Sequence, residues 1–167
     1  GMNEPMRKYM RVGLIHFMAY PETMTGEGPI LETLKRVAMD NYFEAVTVTW
    51  IRDHSIRKRA AEILCMAQMR VVYGAHPTLL TQGLNPNDLD EQKRQRAIEE
   101  LKLCVDEAYE IGAESLIFLS GKYIPERKEE ALKKLVATTC ELCCYAKKSG
   151  NLQVLLEVFD HSIDKKS

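Results

Sequence analysis

Strand-like and helix-like segments alternate along this chain without a break, and that alternation constrains the fold more than any single motif. The run "RVGLIHF" (11–17) is apolar and rich in β-formers, so it reads as a strand. A loop, "YPETMTGEGP" (20–29), leads to "ILETLKRVAMDNYF" (30–43), where Leu31, Leu34, Val37 and Ala38 recur at helical spacing. "EAVTVTW" (44–50) is a second strand, β-branched throughout. "SIRKRAAEILCMAQM" (55–69) is a helix with Ser55 as its expected N-cap. "RVVYGAH" (70–76) is a third strand stopped by Pro77, and 77–90 reads as a long loop of turn residues. A helix over 91–112 carries Ala97, Leu101, Cys104, Val105 and Ala108 on one face, with Gly112 just past its end. "ESLIFLS" (114–120), a helix over 125–150 opening at Pro125, and "LQVLLEVF" (152–159) complete the series.

Five strands separated by four helices imply parallel pairing through right-handed crossovers. The strands lack strict alternation of apolar and polar residues, which predicts a sheet covered on both faces. An α/β fold of this order is either a doubly wound sheet or a (β/α) barrel. The first strand is not followed by G-x-G-x-x-G, and no P-loop is present. Polar residues instead recur where strands end: His16, Trp50 with Arg52, His76, Ser120 and Glu157. A site drawn from many strand ends belongs to a TIM barrel, with strands in sequential order. Such a barrel takes about 250 residues, so this chain is expected to be a partial barrel covering about the first five strands and four helices. Residues 1–10 read as a tag scar and N-terminal lead, and 11–167 as the barrel domain. Truncation is the expected cause; a natural half-barrel that pairs with another chain is the alternative.

Charge removes some functions. Twenty-three basic against 24 acidic residues leave a net charge of −1, so no nucleic-acid or anionic-membrane partner is expected. The one basic cluster, "RDHSIRKR" (52–59), reads as the solvated face of a helix start. No apolar run approaches the roughly 20 residues of a membrane span, and the expected location is cytoplasmic. The five cysteines agree with a reducing compartment. "CELCC" (140–144) contains C-x-x-C, but it lies deep within a helix rather than at the N-terminus that a redox motif needs. Cys140, Cys143 and Cys144 share one helical face and are expected to be reduced and packed in the core.

At "YGAHPTLL" and "LLEVFDHSIDKK" the chain resembles the xylose-isomerase-like TIM barrels, a superfamily of sugar-phosphate isomerases and epimerases and of metal-dependent apurinic-site endonucleases. "IGAESLIFLSG" (111–121) is similar to the family's fourth strand and the glycine turn after it. The resemblance implies a divalent metal (Mn, Zn, Mg or Co) with Glu157 as its first ligand and a catalytic residue. The family's other ligands come from strands six, seven and eight, so this chain alone is expected to lack part of the metal site and to be inactive.

His76 is then a candidate substrate or metal-shell residue, His16 a weaker one, and Trp50 a candidate wall for a sugar. His161 reads as a loop residue, and the terminal pair Lys165 and Lys166 as solvated. The leading expectation is a metal-dependent isomerase or epimerase of a sugar or sugar phosphate, with a small carbohydrate as substrate. The alternatives are an apurinic-site endonuclease-like phosphodiesterase, disfavoured by the charge balance, and a non-catalytic half-barrel binding or oligomerisation module. A five-stranded sector keeps open edges, so association through the fifth strand, as a homo-oligomer, is also expected.

Overall fold

A computed structural model describes residues 12–159 of the 167-residue chain. The N-terminal lead, His161, Lys165 and Lys166 lie outside the described residues. Five parallel strands form one sheet in the order β1-β2-β3-β4-β5: Gly13–Ile15, Ala45–Val48, Arg70–Gly74, Ser115–Leu119 and Gln153–Glu157. The helices are α1 (His16–Ala19), α2 (Ile30–Met39), α3 (His54–Met66), α4 (His76–Gln82), α5 (Glu91–Glu110) and α6 (Lys128–Lys147). The predicted sequential parallel order is therefore present, as part of a TIM-barrel-type fold.

The core lies between one face of the sheet and the longer helices. Strand register puts Val48, Tyr73, Leu116 and Val154 in one row and Phe118 beside Leu156. The first three of these and Phe118 are buried. The predicted face of α5 meets them: Ala97, Leu101, Cys104, Val105 and Ala108 are all buried. Asp90 caps α5 by accepting from the N–H groups of Gln92 and Lys93, and Gly112 follows its end at φ +77°.

Four expectations need correction. The sheet is not covered on both faces: burial alternates along β2 and β5, and the row Ile15, Thr47, Val72, then Ile117 with Leu155 and Leu119 with Glu157, lies half-buried or exposed. Apolar side chains on that open face made the strands look two-sided. The first strand ends at Ile15, and His16 begins a helical turn that buries Phe17; a short apolar run does not distinguish strand from buried helix. Pro77 does stop β3, but it also occupies the first turn of α4, where its missing N–H does no harm; 77–90 is thus not all loop, and Gly83 at φ +64° closes the helix. Asp53, not Ser55, caps α3, its carboxylate accepting from Ile56 N–H at 3.0 Å.

The cysteine expectation fails in part for a geometric reason. The sheet-facing residues of α6 are Ala131, Leu135, Thr138, Leu142 and Ala146. The cysteines fall beside that stripe, so Cys140 and Cys144 are exposed and Cys143 is half-buried. All five are free thiols, and only Cys104 is buried.

Candidate functional site

The carboxyl ends of the strands bring the candidate residues to one rim of the sheet. His16 follows β1, Trp50 follows β2, His76 follows β3, Ser120 follows β4, and Glu157 ends β5. Ends of parallel strands gather side chains in this way because every strand points toward the same rim.

His16 is 3% exposed, and its Nε2 lies 2.6 Å from Thr33 Oγ1 on α2. Burial lowers its pKa to about 4, against a smaller opposing pull from Glu22. It is a neutral, internally bonded imidazole at neutral pH. The crevice it shares with Thr49 and Trp50 is only about 10 Å³, too small for a sugar. Trp50 is largely buried, and its indole N–H donates to the Met24 carbonyl at 2.8 Å.

His76 is half-buried, edge-on to Phe17 with ring centroids 5.1 Å apart. Phe17 can lie there because β3 ends in Gly74: a Cβ on that residue would stand 3.1 Å from the phenyl ring. Burial lowers the His76 pKa, and the negative charge of Glu157 opposes the shift. His76 and Glu157 thus stand on the same rim without a hydrogen bond or ion pair between them. His16 and Trp50 form a separate pair.

Glu157 is exposed, in register with Leu119 on the open face. The strand that presents it is half-buried rather than buried, so its carboxylate carries no large desolvation penalty here. Among the described residues, no three His, Cys, Asp or Glu side chains converge on a point that could hold a metal ion. Glu157 with His76 falls short of the three protein ligands typical of a catalytic zinc. The described donor set therefore does not by itself fit a resident metal.

A groove beside this rim, about 320 Å³, is lined by Asn87, Ser120, Gly121, Tyr123, Lys128 and Phe159 among others. Its floor is a turn built by two asparagines. Asn87 Oδ1 accepts from Gly121 N–H at 2.6 Å, and Asn85 Nδ2 donates to the Lys122 carbonyl at 2.9 Å. A side chain at 121 would collide with Asn85, whose Oδ1 lies 2.0 Å from the Cβ position. The sequence reading missed both asparagines and Thr33, because a side chain that braces a distant turn leaves no local pattern.

A family model described as xylose isomerase-like TIM barrel matches residues 36–164. No curated protein matches the sequence. The fold is similar to that of a solved D-tagatose 3-epimerase-like protein (TM-score 0.68, 20% identity, 88% of this chain and 52% of that one). It is similar also to an L-ribulose 3-epimerase (TM-score 0.63, 15% identity, 89% and 48%). A third similar structure is a sugar phosphate isomerase/epimerase from Parabacteroides distasonis (TM-score 0.60, 16% identity, 90% and 51%). The chain spans about half the length of each, and identities this low establish a shared fold alone.

Proposed function

Because the chain belongs to the xylose isomerase-like TIM barrel family, we propose that it forms part of an isomerase or epimerase acting on a sugar or sugar phosphate. The observation that carries this reading is the placement of His76 and Glu157 at the same carboxyl rim of the sheet. The structures it resembles are about twice as long, so turnover is proposed for a whole barrel and binding for this part of it.

Within that reading, Glu157 would supply one carboxylate to a divalent metal, the described donors being too few to hold one by themselves. Such a metal would polarise the hydroxyl and carbonyl oxygens of a sugar. The chain's own residues do the rest. Neutral His76, packed against Phe17, offers one ring nitrogen to a substrate hydroxyl; burial favours the neutral form and the charge of Glu157 only partly opposes it. Trp50 supports the neighbouring wall. The exposed edge of β5, with Leu155, Val158 and Phe159 beside it, is assigned to pairing with another copy of the chain.

Manganese(II) titration followed by NMR tests the reading. Selective broadening of His76 and β5 resonances is expected, and Glu157→Gln should remove it. Broadening that is unchanged in Glu157→Gln would refute the assignment of Glu157.

A further inference from the structure

The ladder between β2 and β3 stops at Val48, which pairs with Tyr73. The next three residues, Thr49, Trp50 and Ile51, are buried all the same. A buried segment beyond its ladder has to find hydrogen bonds elsewhere. Thr49 and Trp50 are tied down by their side chains, to the carbonyls of Gly74 and Met24. Ile51 is tied by its backbone, to charged side chains from two different helices. Its N–H donates to Glu107 Oε1 of α5 at 3.0 Å, and its carbonyl accepts from Arg57 Nη1 of α3 at 2.6 Å. Those two side-chain atoms stand 3.8 Å apart. Acid, base and backbone thus close a ring. Arg57 is anchored from behind, where its Nε donates to Glu110, whose carboxylate also lies 3.9 Å from His54 Nδ1.

The ring acts on the residue before it. Trp50 is 8% exposed, and with Thr49 and Ile51 it lines the crevice of His16. Because Ile51 is gripped by its backbone, the ring sets the path of the chain that carries the indole. Glu107 is the inner half of the grip, with 18% of its side chain exposed. The charged and titratable groups that face it are Arg57 of α3, Glu110 of α5 and Tyr73 of β3. Burial raises its pKa, and the Ile51 N–H and the Arg57 charge oppose the rise in part. A hydrogen bond to a carboxylate is roughly twice as strong as one to a neutral acceptor, so the ring is tightest when Glu107 is ionised.

We infer that Glu107 is a positioning residue for the rim: with Arg57 as its counterpart, it holds Ile51 and thereby fixes where Trp50 stands. The inference rests on Trp50 being a wall of the carbohydrate site proposed above, and it adds the pair that keeps that wall in place.

Trp50 is the only tryptophan in the chain, so its emission and its quenching by acrylamide report on this segment directly. E107L should red-shift the emission and raise the quenching. R57Q, which frees the other backbone group of Ile51, should do the same, and the double change should add little, because both open one ring. E107Q keeps an acceptor for the Ile51 N–H and should restore much of the wild-type signal. Acidification from about pH 7 to about pH 5 should move the wild type toward E107Q, which itself should not respond. H16Q should leave that response in place, which separates it from the histidine in the same crevice. T138V breaks a buried bond on α6 and should leave the Trp50 signal unchanged, which separates positioning from general loosening. E107Q and the pH profile decide the matter if E107L fails to fold. A Trp50 signal indifferent to R57Q, E107Q and pH would overturn the assignment, as would equal loosening in T138V. Either result leaves the carbohydrate reading to the manganese titration.

Discussion

Protonating His16 would place a charge in a site that is almost closed to water, beside a threonine hydroxyl that already serves it. Its folded pKa, about 4, lies below its ordinary value of 6.5. The unfolded chain therefore binds the proton first as pH falls, and stability present above about 6.5 is lost progressively down to about 4. By pH 5 the loss is on the order of 2 kcal/mol. Urea unfolding at pH 7.5 and pH 5 should show it, and His16→Gln should flatten the difference; an unchanged slope would exclude His16 as its source. Thr138 is a second buried joint. Its hydroxyl donates to the Pro86 carbonyl at 2.8 Å and accepts from Arg94 Nη1 at 3.0 Å. Thr138→Val keeps the shape but strands both partners, so a loss of about 1–3 kcal/mol is expected in the same assay. Thiols divide by exposure. Burial pushes the Cys104 thiol up to about 12, whereas Cys65, Cys140 and Cys144 are exposed. Maleimide mass labelling of the native protein should modify those three quickly and Cys104 only after denaturation.

Among the elements, β5 is an edge strand, paired with β4 on one side. The Gln153 N–H reaches the Glu114 carbonyl and the Glu157 carbonyl receives the Ser120 N–H. The alternation of a parallel ladder then turns the backbone groups of Val154 and Leu156 away from β4. Hydrogen exchange should be fastest in the strands at those two amides and slowest in β2 and β3, which are paired on both sides. Beside this edge, Leu132 and Val136 of α6 stand 52% and 53% exposed. Sedimentation at micromolar concentration should show association that Leu132→Lys with Leu155→Lys reduces; a monomer indifferent to both changes would argue against edge pairing. α6 also marks where reading by periodicity runs out. Its sequence offers two apolar stripes, Leu135 with Leu142 and Leu132 with Val136 and Cys140, and nothing local says which one meets the sheet. In α5 only one stripe exists, and there the predicted core face is the observed one.

At the scale of the molecule, the element order carried the topology because breakers mark several of the turns: Pro125, Gly112 and the loop glycines fall where the chain turns. Strand-end histidines and Glu157 were readable for the same reason, since fixing the strands fixes the rim. What escaped was set by contacts far apart in sequence: Thr33 beneath His16, Asn87 beneath Gly121, and the clasp of Glu107 and Arg57 on Ile51. Arg52 shows the difference most clearly. In "RDHSIRKR" it is one cation among several; only folding gives Arg57 and Arg59 their carboxylates and sets Arg52 over the Trp50 ring.

The uninterrupted order of the sheet has a further meaning for how the chain is made. From β2 onward, each strand finds a ladder partner in the strand synthesised just before it. Growth at the ribosome and growth of the sheet therefore run in the same direction, and each new unit docks on a surface already formed. The cost is that the newest strand always presents a raw hydrogen-bonding edge. Until a partner arrives, the nascent protein is at its stickiest beside the growing end.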